Sequence, residues 1–120
     1  MTEMLITRPE HDDTTHYLSN WSKETIGVAE NKNIKVFDLN REKATRKNVE
    51  SKLSRMSCNL VYFNGHGGFN VIGGHNNEPL IICGENERLL KSKVVYAISC
   101  KSAKELGLKS VEAGANTKIL

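Results

Sequence analysis

No apolar run in these 120 residues approaches the ~20 residues that a membrane-spanning helix needs. The first residues, Met1-Thr2-Glu3-Met4, lack the basic-then-apolar layout of a secretory signal peptide. Cysteine is scarce and odd in number. Cys58, Cys83 and Cys100 follow neither a disulfide framework nor a zinc spacing, so free thiols and a reducing, cytoplasmic setting are expected. Charge of one sign is also in short supply. Seventeen Lys and Arg against fourteen Asp and Glu leave +3, which calls for no nucleic-acid or membrane partner. Repeats, linkers and low-complexity stretches are absent. What is there, 38% hydrophobic and 26% charged residues, is the composition of a globular protein and excludes a disordered tail. A chain of this length supports one domain, spanning residues 1–120, around one core.

Strand and helix patterns alternate along the chain. Met4-Leu5-Ile6-Thr7 reads as a strand ended by Arg8-Pro9. Asp12, Asp13 and Thr14 offer helix caps, and Leu18, Trp21, Thr25 and Val28 predict a helix over 15–30 with those residues on its apolar face. Ile34-Lys35-Val36-Phe37-Asp38-Leu39 is β-branched and aromatic enough for a second strand. A helix over 43–56 follows, with Val49, Leu53 and Met56 on its apolar stripe. Arg41, Lys43, Arg46, Lys47, Lys52 and Arg55 form a basic face that reads as solvated rather than as a phosphate site. Asn59-Leu60-Val61-Tyr62-Phe63 and Val94-Val95-Tyr96-Ala97-Ile98 are apolar enough for strands covered on both faces, with an irregular stretch between them. Ser102 and Glu105 form a capping-box pair that opens a helix over 102–114, and Lys118-Ile119-Leu120 begins a further strand.

This order predicts an α/β protein with a mainly parallel sheet and right-handed crossovers. Ligands and catalytic groups in such sheets collect at the carboxyl ends of the strands. Residues 8–13, 64–68 and 99–102 fall there, and all three segments carry reactive side chains. Asn64-Gly65-His66-Gly67-Gly68 is a glycine turn that exposes one histidine; it is neither a phosphate loop nor a dinucleotide fingerprint. Cys100 follows the later strand and precedes the helix capped by Ser102, where a helix N-terminus favours thiolate over thiol. An adjacent imidazole would lower the thiol pKa further and shuttle a proton to a leaving group.

A histidine and a cysteine at two such strand ends have the layout of a cysteine-protease dyad. Val61-Tyr62-Phe63-Asn64-Gly65-His66-Gly67, followed by Val94-Val95-Tyr96-Ala97-Ile98-Ser99-Cys100, resembles the caspase-like cysteine peptidases, in the CHAT and gingipain-like branch of that clan. Cys100-Lys101-Ser102-Ala103, with Leu106-Gly107 and Gly114-Ala115, also resembles the CHAT helix after the cysteine. The resemblance is strongest over 59–120. It implies a three-layer α/β/α sandwich of the caspase-hemoglobinase type and a cysteine endopeptidase that works through an acyl-enzyme on a peptide or protein substrate, without cofactor or metal. His66 matches the general base and acid, Cys100 the nucleophile, and the backbone N–H groups of Gly67 and Cys100 the oxyanion donors. Ile98 and Ser99 stand where the caspase Gln-Ala would precede the cysteine, so aspartate preference is not implied.

His75, in Gly73-Gly74-His75-Asn76-Asn77, and His11 with Asp12 after the first strand are candidates for contacting substrate. Asp12 reads equally as a simple helix cap or as a partner that orients His66. His16 reads as a surface residue, and Cys58 and Cys83 as structural. A zinc site built from His66, His75, Cys83 and Cys100 finds no close ligand pair in the sequence. The alternatives to a peptidase are a caspase-like binding or scaffold module without turnover, and a flavodoxin-like domain that uses the same sheet edge for a small ligand. The resembling family continues past residue 120, so the expectation is a core that associates with a second copy or belongs to a longer polypeptide.

Overall fold

A computed structural model describes residues 2–55, 58–98, 111–114 and 116–119. Eight strands and two α-helices lie among them: β1 (Glu3–Arg8), α1 (Asp13–Asn31), β2 (Lys35–Asn40), α2 (Arg46–Arg55), β3 (Cys58–Asn64), β4 (Gly67–Gly68), β5 (Val71–Gly73), β6 (Pro79–Ile82), β7 (Val94–Ile98) and β8 (Asn116–Ile119). Five strands form a parallel sheet in the order β2-β1-β3-β7-β8. The protein is therefore α/β. Among the described residues no helix is long and apolar enough to cross a membrane.

Alternation along the strands sends side chains to two apolar layers. Met4, Ile6, Val36, Leu60 and Tyr62 face α1 through Ile26 and Ala29. Leu5, Leu39, Val61, Phe63, Val95 and Ala97 face the other way, against Val49 and Leu53 of α2. The same core takes Ile72, Leu80 and Ile81 from a second, antiparallel sheet of order β4-β5-β6. That small sheet occupies the stretch that reads as irregular in the sequence. Its strands have two to four residues, too short to set up a period. Glu78, just before β6, accepts the backbone N–H of Arg46 and so ties this sheet to the start of α2.

The predicted face of α1 is corrected by the structure. Trp21 is 70% exposed and Val28 55%, whereas Thr15, Ser19, Ser22 and Ala29 are buried. The reason lies beneath the first half of the helix, where the sheet presents Arg8 and Asp38 instead of apolar side chains. Arg8 is buried and donates from Nε and Nη2 to the two Asp38 carboxylate oxygens, at 2.9 and 2.6 Å. Its Nη1 donates to Ser19 Oγ at 2.8 Å. A hydroxyl face satisfies Nη1 of that guanidinium; an indole would offer it no acceptor in the interior.

The helix expected over 43–56 starts later, at Arg46, after a 3-10 turn at Arg41–Lys43, and Met56 lies outside the described residues. The expected helix over 102–114 lies mostly outside the described residues, of which 111–112 are helical. The strand expected to begin at Lys118 starts two residues earlier and is completed as β8, with Asn116–Ile119 in register with Val94–Ala97.

Candidate active site

Chain direction makes a crevice in this sheet. From β1 the chain crosses by α1 to β2 on one side; from β3 it moves through the small sheet to β7 on the other. The connections after the neighbouring strands β1 and β3 therefore diverge, and the gap between their carboxyl ends is the switch point where α/β sheets bind ligands. The loop after β1 brings His11 and Asp12 to that gap, and the turn after β3 brings His66.

Asp12 caps α1. Its Oδ1 accepts from the Thr15 N–H at 2.9 Å and from the Thr15 hydroxyl at 2.8 Å, while Thr15 Oγ1 accepts the Asp12 N–H at 3.1 Å. The second oxygen, Oδ2, stands 2.5 Å from Nε2 of His66. The Thr15 backbone N–H, with the Thr15 hydroxyl and His66, holds the Asp12 carboxyl well below the usual carboxylate range. An ionised carboxylate only accepts, so the His66 proton is assigned to Nε2 and the lone pair to Nδ1. Asp12 is thus both the cap and the partner of His66, the two roles its sequence position left open.

Gly65 lets the chain turn from β3 into His66. Its φ is +151°, and a Cβ there would lie 2.7 Å from the Gly73 carbonyl oxygen. Gly73 N–H donates to the His66 carbonyl at 2.7 Å, pinning the histidine backbone to the small sheet. That bond flanks the antiparallel Gly67–Ile72 pair, which makes the pair a non-hydrogen-bonded one. The Gly67 N–H consequently points away from β5, at the edge of the small sheet. On the other side of the turn, Gly65 N–H donates to the Ile98 carbonyl at the end of β7, at 3.2 Å.

The remaining histidines of the loops join the group. The His11 ring lies 5.8 Å from that of His66 and 6.0 Å, edge-on, from that of His75. His11 Nδ1 accepts the Asn76 N–H at 3.1 Å, so its Nε2 donates to Asn77 Oδ1, also at 3.1 Å. His75 Nδ1 is sealed from solvent with no hydrogen-bond partner among the described residues. A cleft of about 290 Å³ opens beside His66, walled by Gly67, Gly68, Val71, Asn77 and Pro79. Among the described residues its wall carries no carboxylate and no Lys or Arg.

His11, Asp12, His66 and Gly67 come together at one sheet edge, with His75 packed behind His11. Cys100 lies outside the described residues, as does Ser99. Cys83 is half-buried against the main core, and His16 pairs with Asn20 on α1, away from the gap. Sequence reasoning missed Asn77, whose amide holds His11, and the ionic support under the site. In that support Ser19 donates to Glu10 at 2.5 Å and Arg41 donates to Glu10 at 3.0 Å. Arginine at the end of an otherwise apolar strand was the available signal. Two members of the basic face of α2 are engaged: Arg46 pairs with Glu50 at 3.1 Å and Glu85 at 3.0 Å, and Lys52 lies over the Phe37 ring.

What the geometry defines is an imidazole oriented by an ionised carboxylate, with a backbone donor at its side and a cleft in front whose described wall carries no Asp, Glu, Lys or Arg. Comparison of the chain with family models, with curated proteins and with solved structures returned no match.

Proposed function

We propose that the chain is a caspase-like domain of a cysteine endopeptidase, with Cys100 as nucleophile and His66 as general base and acid. One observation carries the reading. β3 and β7 are adjacent parallel strands in which Asn64 is paired with Ile98. His66 and Cys100 each follow that pair by two residues in the sequence. The two residues thus stand equally far along the sequence from a pair of neighbouring strand positions.

The chemistry follows from the tautomer. His66 Nδ1 takes the Cys100 thiol proton while Asp12 stabilises the resulting imidazolium through Nε2–H. The thiolate attacks the scissile carbonyl, and the charge that develops on oxygen is met by the N–H groups of Gly67 and Cys100. His66 returns its proton to the departing amine as the C–N bond breaks. Water, deprotonated by the same nitrogen, then releases the acid product from the thioester. The cleft beside His66 suits an uncharged substrate side chain, in keeping with the absence of the caspase Gln-Ala before Cys100.

Labelling with an electrophilic peptide probe tests the reading. Wild type is expected to react at Cys100 in preference to Cys58 and Cys83, Cys100→Ala to stay unlabelled, and His66→Ala to react slowly. Equal labelling of wild type and Cys100→Ala removes the nucleophile. An alkylation rate at Cys100 that ignores His66→Ala favours the binding or scaffold module.

A further inference from the structure

We propose that His11, Asp12 and His66 form a binding site for a borderline divalent cation of the zinc class. One nitrogen from each imidazole and one Asp12 oxygen all lie within 4.8 Å of one another. The Asp12 Oδ2 is 2.5 Å from His66 Nε2 and 3.8 Å from His11 Nε2. Tetrahedral zinc with ligands at its usual distances separates neighbouring donor atoms by roughly 3.3 Å. The first contact must open and the second close by less than an ångström each, and the two imidazole nitrogens, within 4.8 Å of each other, must approach by up to about 1.5 Å. Asp12 and His66 are partly exposed, at 42% and 36%, so their side chains have room to do so.

Donor chemistry selects the cation. Two imidazoles and one carboxylate suit zinc, cobalt or copper better than the hard, all-oxygen preference of magnesium or calcium. The charge is supplied by the Asp12 carboxylate, which its cap to Thr15 keeps ionised. Three protein ligands leave a fourth position open to solvent, the arrangement of an accessible rather than a closed zinc site.

Three hydrogen bonds must give way. The ion takes the same Oδ2 and Nε2 that now bond to each other, so cation and Asp12–His66 hydrogen bond exclude one another. Ligation through Nε2 also moves the proton of each histidine to Nδ1. For His66 that nitrogen then becomes a donor and loses its lone pair. For His11, Nε2 gives up its bond to Asn77 Oδ1 and the protonated Nδ1 meets the Asn76 N–H, so the 3-10 turn at His75–Asn77 has to shift. Asn76 and Asn77 are exposed and already left-handed, at φ +52° and +63°, which makes this turn the softest part of the surround.

Titration of the full chain with Co2+ tests the site. One equivalent is expected to give the visible d–d band of nitrogen and oxygen ligation, without the near-ultraviolet band of a thiolate ligand, and Zn2+ is expected to displace it. His11→Ala and His66→Ala, each checked by circular dichroism, should weaken Co2+ binding at least tenfold. In the unaltered chain, paramagnetic broadening should reach the His11 and His66 imidazole signals and spare His16. A thiolate band, broadening centred on His16, or unchanged affinity in the two folded variants would overturn the proposal.

Discussion

Asp12 Oδ2 and His66 Nε2 meet at 2.5 Å across 54 residues of sequence, while the other oxygen of the same carboxylate caps α1. The two functions can be separated by one substitution. Asparagine caps helices as well as aspartate does, so Asp12→Asn should leave stability near wild type. Its amide donates where the carboxylate accepted, and that drives the His66 proton to Nδ1, the wrong nitrogen for a base. Iodoacetamide labelling of Cys100 should slow by about tenfold or more in this variant. Asp12→Ala should lose the cap as well, at about 0.5–2 kcal/mol. Equal labelling rates in wild type and Asp12→Asn would show that the carboxylate only caps.

Gly65→Ala should damage the site through the backbone. Its Cβ would press on the Gly73 carbonyl in a conformation that L side chains rarely adopt. The expected loss is about 1–3 kcal/mol in a urea melt, with the His66 imidazole shifts moved in NMR spectra. A melt that overlays wild type would mean that the turn tolerates a side chain.

The Arg8–Asp38 pair supports the floor beneath α1. Asp38→Ala leaves a buried guanidinium with Ser19 and, at 4.0 Å, the Glu10 carboxylate as its remaining partners, and should destabilise by about 2–3 kcal/mol. Replacing both members, as Arg8→Met with Asp38→Leu, should recover most of that loss. A double variant as unstable as Asp38→Ala would contradict this account.

Trp21 invites the opposite expectation from its helical spacing. Exposed at 70%, it should tolerate Trp21→Ser within about 0.5 kcal/mol. Leu5→Ala, at a fully buried position of the sheet, should cost about 2–5 kcal/mol. Comparable losses in the two variants would return Trp21 to the core.

Glu50 predicts a pH dependence. The Asn86 amide and then Arg46 hold its carboxyl below the usual carboxylate range. A depressed native pKa adds stability above the ordinary carboxylate range, and that stability is lost as pH falls through the native value. Glu50→Gln should therefore flatten the acid limb of the stability curve and change little above it. The side chain is 37% exposed, so the effect should be small and screened by salt. An acid limb unaltered by the substitution would show that the pair contributes nothing.

How much could be read without the fold depends on range. Strand periodicity and apolar content are local, so β1, β3 and β7 were legible from residues 4–7, 59–63 and 94–98, and the glycine turn marked His66 as exposed. The alternation of strand and helix likewise determined a parallel sheet. Tertiary structure decided what depends on the neighbour. Leu18, Trp21 and Val28 keep helical spacing on α1, but the buried Arg8 beneath the helix draws in Ser19, and Ser22 is buried with it and donates to the Ser19 carbonyl. The strands β4, β5 and β6 are too short to carry a period and exist because Ile72, Leu80 and Ile81 complete the core over α2. Asp12 looked like a cap from its own segment alone. Only the strand order, which seats β1 beside β3, gives its second oxygen the imidazole of His66, because hydrogen bonding acts over about 3 Å of space regardless of separation along the chain.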